Sequence, residues 1–131
     1  MTKYKLSSQT LQHEGRTLYR IQALKDFGDV KAGDLGGWVE SENNLSQRGL
    51  GWIYDEGKVS GKAWVSEDVK VFEDAEVSGS YIYGNTIVID SKVSNYHLSN
   101  HLIIPSPEHP LYIIYRLKYP DLEVVFIPWQ S

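Results

Sequence analysis

The chain has 131 residues, no cysteine and a formal net charge of −4, with 41% hydrophobic and 23% charged residues. This length and composition lead one to expect a single globular domain, and they exclude disulfides, thiolate metal sites and cysteine nucleophiles. No apolar run approaches the ~18 residues of a membrane span, and MTKYKLSSQT lacks the apolar core of a secretory signal, so the cytoplasm is the expected compartment.

The first element reads as a hairpin. Tyr4-Lys5-Leu6 and the run from Thr17 to Leu24 alternate in polarity around a turn at His13-Glu14-Gly15. Residues 25–51 follow, rich in Gly, Asp and Asn, with Gly28, Gly33, Gly36, Gly37, Gly49, Gly51 and the pair Asn43-Asn44. That composition suits irregular loops, interrupted by short buried pieces at Trp38-Val39 and Leu45.

From Ile53 the chain repeats every six residues. Ile53, Val59, Val65, Val71, Val77, Tyr83 and Ile89 form one series, and Gly57, Ala63, Val69, Ala75, Tyr81, Ile87 and Val93 a second. A helix repeats near 3.6 residues and a strand near two, so neither explains the period. A coil with one flat face per six residues does, and this is the hexapeptide pattern of a parallel β-helix. Three faces per turn give about two coils between residues 53 and 94, a stack about 10 Å tall. Its open ends need caps.

Beyond Val93 the period is lost at Asn95, and Pro105, Pro107 and Pro110 mark a connection. Residues 111–117 and 122–127 are strand-like runs around Lys118-Tyr119-Pro120-Asp121, which predicts a second hairpin. The expected organisation is one domain over 1–131: an N-terminal hairpin and Gly-rich cap (1–52), hexapeptide coils (53–94) and a C-terminal hairpin cap (95–131).

The strings Phe27-Gly28-Asp29-Val30-Lys31-Ala32-Gly33, Gly36-Gly37-Trp38-Val39, Asn44-Leu45-Ser46 and Trp52-Ile53-Tyr54-Asp55 lead directly into the hexads. Together they resemble a group of mostly uncharacterised bacterial and phage left-handed β-helix proteins. That group lies within the hexapeptide-repeat superfamily, which includes trimeric acyltransferases. The resemblance implies left-handed coiling, against the right-handed preference of ordinary β crossovers. The expected fold class is therefore all-β, a short left-handed parallel β-helix of about two coils capped by N-terminal and C-terminal β-hairpins.

An acyltransferase of that superfamily would need a trimer, a long groove and a catalytic histidine. His13, His97, His101 and His109 all lie outside the expected coils, and no orienting partner is visible for any of them. His97 and His101 have metal-ligand spacing only in a helix, which Asn95, Ser99, Asn100 and Pro105 oppose. The pair Gly36-Gly37 lacks the surrounding pattern of a phosphate loop. No catalytic, cofactor or metal site is expected on these grounds, and the chain reads as non-enzymatic.

Charge points instead to a partner. Residues 55–76 carry Asp55, Glu56, Glu67, Asp68, Glu73, Asp74 and Glu76 against Lys58, Lys62 and Lys70, so the net negative charge sits on the coils. The absence of a basic stripe disfavours direct nucleic-acid binding. Trp64, Phe72 and Ile82, each adjoining an inward position, are expected to face outward. The expected function is a protein-binding module of phage or prophage origin, using Trp64, Glu67, Asp68, Phe72, Glu73 and Asp74 on a partner with a basic surface, such as a host defence complex. Alternatives are an inhibitor of a bacterial defence system (an anti-CRISPR protein or nucleic-acid mimic), an acyltransferase-like enzyme, and a structural oligomer-forming protein. The apolar C-terminal hairpin is expected to pair two copies into a homodimer.

Overall fold

In the computed structural model, which describes residues 2–129, the chain winds into a β-solenoid of about four turns and carries one short helix. Face I holds β3 (Leu35–Val39), β5 (Lys58–Ser60), β8 (Glu76–Ser78) and β11 (Lys92–Ser94) in parallel register. The antiparallel hairpin of β1 (Tyr4–His13) and β2 (Arg16–Ala23) extends its first edge. Face II holds β6 (Trp64–Val65), β9 (Tyr81–Tyr83) and β12 (His97–Ser99). Face III holds β4 (Trp52–Ile53), β7 (Lys70–Phe72), β10 (Ile87–Ile89), β13 (His101–Ile104) and β14 (Glu123–Phe126).

The core is three stacked columns of aliphatic side chains. Val39, Val59, Val77 and Val93 stack on face I. Leu45, Val65, Ile82 and Leu98 stack on face II. Ile53, Val71, Val88, Ile103 and Val125 stack on face III. Strands of two to five residues gain little by themselves; they persist because each inner side chain meets its equivalent in a neighbouring turn.

The six-residue period holds only as far as Val77. Ile82 is fully buried, whereas Tyr81 and Tyr83 are 51% and 41% exposed. The expectation that Tyr81 and Tyr83 point inward and Ile82 outward is therefore reversed. The reason lies at the corners. Asp55, Gly61, Glu67, Glu73 and Gly79 each have positive φ and are spaced by six, but the next such residues are Gly84, Asp90, Asn95 and Asn100. Several later faces thus contain five residues, ending in a single bend residue instead of a two-residue turn. The inner column passes from Val77 to Ile82, Val88, Val93, Leu98 and Ile103. Turns shorten accordingly, from 18 residues between Ile53 and Val71 to 15 between Val88 and Ile103. Because the shortened repeat passes through Asn95 without breaking the coil, the stack is about four turns rather than two.

The C-terminal segment is not a hairpin. Residues Tyr112–Lys118 form a helix, α1, and β14 returns parallel to β13 as the last strand of face III. Tyr112, Tyr115 and Tyr119 recur at helical spacing and pack on the outer side of face III against Ile87, Ile89, Leu102, Ile104 and Leu122. This second cluster explains why β10 and β13 are apolar at consecutive positions: both of their faces are covered. Pro120 follows the helix C-cap Tyr119, where a proline prevents continuation. The remaining side of α1 leaves Ile113, Ile114 and Leu117 exposed. The two-fold pairing expected through a hairpin at 111–128 thus lacks the hairpin it required.

The N-terminal hairpin forms as expected, with its turn at Glu14-Gly15, both at positive φ. Arg20 lies 4.4 Å over the Trp38 ring and bonds Glu56 at 2.7 Å, while Trp38 Nε1 donates to the same carboxylate. The Arg20 guanidinium beside Glu56 holds that carboxyl below its usual range. Below the first full turn, Tyr4, Phe27 and Trp52 meet edge to face and close the core. Gly37 is required there, because a Cβ would collide with the Gly57 carbonyl and the Ile53 side chain. Lys3 is buried beside this cluster, donating to the Gly51 carbonyl at 2.8 Å, and burial with help from Lys25 pushes its ammonium down to about 8.

Two outcomes test this architecture. Ile82→Ala should cost about 2–5 kcal/mol by leaving a cavity, whereas Tyr83→Ala should stay within about 1 kcal/mol as an exposed change; urea unfolding distinguishes them. The Lys3 value lies below the ~10.4 of a free lysine, so folding releases a proton between those limits and stability should rise from about pH 8 to about pH 10. Tyr4 and Tyr54, raised by burial, bring stability down again above about pH 10. Melting temperatures across that range should climb and then fall, and Lys3→Met should remove the climb.

Candidate functional site

A groove of about 400 Å³ runs along the corner where face II turns into face III. Its solenoid wall carries Leu50, Asp68 and Asn85 from successive corners, with Lys70 and Ile87 from face III. The opposite wall is the segment from Lys118 to Leu122 that leaves α1. The corner column is self-supporting: Leu50 N–H donates to Asp68 Oδ1 at 3.0 Å, and Asn85 N–H donates to Asn100 Oδ1 at 3.0 Å. Apolar walls with a few charged groups are the usual make-up of a small-molecule cleft. A wider depression near Arg16, Lys62 and Glu40 is open, and its Arg16–Glu40 pair is already closed at 2.7 Å.

His101 is near the groove in sequence but not part of its lining: it follows Asn100, whose side chain accepts from the wall residue Asn85, and its Nε2 lies 3.1 Å from Glu123, the residue after Leu122 of the opposite wall. Its orientation comes from the coil itself. Ser80 and Ser91 occupy the position two before an inner residue, and each hydroxyl donates to the carbonyl two residues back. His101, two before Ile103, does the same, its Nδ1 meeting the Ser99 carbonyl at 2.7 Å. Both neighbours are acceptors: the Ser99 carbonyl holds an Nδ1–H, and the Glu123 carboxylate occupies the Nε2 position, so Nε2 is open to another partner only when Glu123 moves away. The structure thus pairs this ring with a carboxylate that no sequence pattern indicated, because the five-residue faces hid its place in the coil.

The other histidines are differently engaged. His109 Nε2 meets Asp90 at 3.2 Å while its Nδ1 accepts the Leu111 N–H, so neither nitrogen is free; it anchors the start of α1. His97 stacks on Tyr81 at 4.9 Å on the outside of face II. His13 lies 3.2 Å from Glu76 at the tip of the hairpin.

The residues expected to bind a partner do not form one patch. Trp64 is outward and exposed on face II, beside Tyr81 in the next turn. Phe72 is on face III, stacked on Tyr54 at 4.6 Å and covered by Tyr115, so it is not an exposed anchor. Ile82, also expected outside, is in the core. Glu67 and Asp68 are exposed corner residues with bonding roles: Glu67 accepts the Gly84 N–H at 2.8 Å and Asp68 the Leu50 N–H. Glu73 and Asp74 occupy the following corner, between face III and face I, where Glu73 N–H donates to Asp55. Among the described residues, no helix is long and apolar enough to cross a membrane.

No family model matches the chain. In an alignment of 104 positions that covers 72% of its length, it is 34% identical to a protein of Escherichia coli (strain K12) named "Uncharacterized acetyltransferase YdcK". The chain spans about a third (32%) of that relative's length. This similarity and the β-solenoid fit the left-handed β-helix, hexapeptide-repeat superfamily. Because the similar protein carries an enzyme's name, the non-enzymatic expectation drawn from the sequence is overturned.

Reversing the corner charges should therefore perturb the fold rather than spare it. Glu67→Lys is expected to cost about 1 kcal/mol through loss of its bond to the Gly84 N–H. Asp74→Lys, with no such bond among the described residues, should cost less; urea midpoints measure both.

Proposed function

We propose that the chain is an acyltransferase-like unit that moves an acyl group from a thioester donor to an amine or hydroxyl acceptor, with His101 as general base. The similarity to an acetyltransferase-named protein over 72% of the chain carries this reading. Its geometric support is the fixed ring of His101, one residue along the chain from the Asn100 that braces the groove wall at Asn85.

The chemistry follows from the ring's orientation. With Nδ1–H held by the Ser99 carbonyl and the Glu123 side chain moved off Nε2, the neutral Nε2 takes the proton of the acceptor nucleophile as it attacks the thioester carbonyl. The tetrahedral intermediate then collapses, the C–S bond breaks, and Nε2–H returns the proton to the departing thiolate. Glu123, 3.1 Å from Nε2 on a side chain 80% exposed, swings aside to admit the acceptor and from there favours the imidazolium through space between the two transfers. The apolar groove wall at Leu50, Ile87 and Leu122 suits the acyl donor, and Lys70 and Lys118 suit anionic groups on it.

Incubation with acetyl-CoA and a panel of small amines and amino sugars, followed by free-thiol release, tests the reading. The wild-type chain should release thiol, and His101→Asn should lower the rate by about 100-fold or more at an unchanged melting temperature. Glu123→Gln should reduce it less and change the pH profile. Thiol release no faster than in buffer, or release indifferent to His101→Asn, would count against the proposal.

A further inference from the structure

We propose that His13, Glu14 and Glu76 form a binding site for a divalent first-row transition ion of the zinc type, bolting the tip of the β1–β2 arm to face I. The three side chains each present a ligand atom, and these atoms lie within 4.8 Å of one another. They come from places far apart in sequence, the turn of the hairpin and the outer side of β8. The site lies on face I, away from the groove and from His101.

The geometry of the pair His13–Glu76 carries the argument. His13 Nε2 is shut off from solvent and has no hydrogen-bond partner, although Glu76 Oε1 is 3.2 Å away. The contact has the length of a hydrogen bond without its direction. Two ligands on one ion at bond lengths of ~2.0–2.2 Å lie about 3 to 3.5 Å apart, with no such directional requirement between them. Glu14 Oε2, 4.0 Å from Nε2, is on an exposed side chain and needs only a small movement to close the set. One imidazole and two carboxylates form a borderline donor set that suits zinc and its neighbours better than calcium or magnesium. A buried imidazole nitrogen left without a partner is costly, and an ion there would remove that cost.

The surroundings set the expected strength. Glu76 lies between Lys58 and Lys92 in the outer column of face I, and Lys92 Nζ is 3.7 Å from Glu14 Oε1. That ammonium competes with an incoming cation for Glu14. Binding should therefore be moderate in the wild-type chain and tighter once Lys92 is removed.

Isothermal titration of the chain with zinc chloride, after chelation and buffer exchange, tests the site. One ion per chain is expected, with affinity falling about tenfold or more in His13→Ala, Glu76→Gln and Glu14→Gln. Glu14→Gln leaves the His13–Glu76 contact in place, so its loss of affinity does not depend on an undocked arm. Lys92→Met should raise the affinity, and His97→Ala should leave it unchanged. Absence of uptake by the wild-type chain, or uptake that persists in both His13→Ala and Glu14→Gln, overturns the proposal.

Discussion

Every feature of this molecule depends on the left-handed backbone conformation taken once at each corner of the solenoid. From Asp55 to Asn100, one residue per corner has positive φ, and the residue types are Gly, Asp, Asn and Glu. A side chain in that conformation carries a cost, least for Asn and Asp. The coil recovers part of it by hydrogen bonding between corners. Asp55 accepts the Glu73 N–H, Glu67 accepts the Gly84 N–H, and Asn100 accepts the Asn85 N–H. Corner spacing then decides which residue of each face points inward, and through that the whole core. A change from six to five residues between corners is absorbed without interrupting the columns, because the ladder needs only that an aliphatic side chain meets its equivalent in the next turn.

A solenoid of short strands also has ends and an outer surface to manage. At the first end, the Tyr4, Phe27 and Trp52 cluster and the buried Lys3 close the core. On the outside, one face differs from the other two. On face III, β10 and β13 are apolar both inward and outward, and α1 with its tyrosines lies over them. This cover gives the molecule an asymmetry that a bare prism lacks. Where the segment leaving α1 runs back to join β14, it stands off the solenoid corner and makes one wall of the groove. The candidate site is thus a by-product of how the last strand is reached.

His101 shows how a structural position can carry chemistry. On preceding faces Ser80 and Ser91 hold the equivalent position, each with its hydroxyl satisfied by the local carbonyl. An imidazole placed there has one nitrogen committed in the same way and its second paired with Glu123. The proposed function draws on the similarity to an acetyltransferase-named protein together with this arrangement.

The sequence alone was enough to determine the parallel coil, the N-terminal hairpin with a turn near His13-Glu14-Gly15 (the structure narrows it to Glu14-Gly15), and the burial of Val39, Leu45, Val59, Val65, Val71 and Val77. Those features rest on local chemistry: a fixed period of aliphatic residues and a turn favourable to positive φ. Only the tertiary structure decided what happens after Val77. Tyr83 and Ile89 continue the count by six, yet Ile82 and Val88 fill the inner column, since corner conformation and not hydrophobicity sets the phase. Residues 111–117 read as a strand because they are apolar at nearly every position. They become a helix because Tyr112, Tyr115 and Tyr119 find an apolar surface on the outside of face III. The pairing of His101 with Glu123 was likewise invisible, because it joins two turns whose register exists only once the five-residue faces and the helix have brought β14 beside β13.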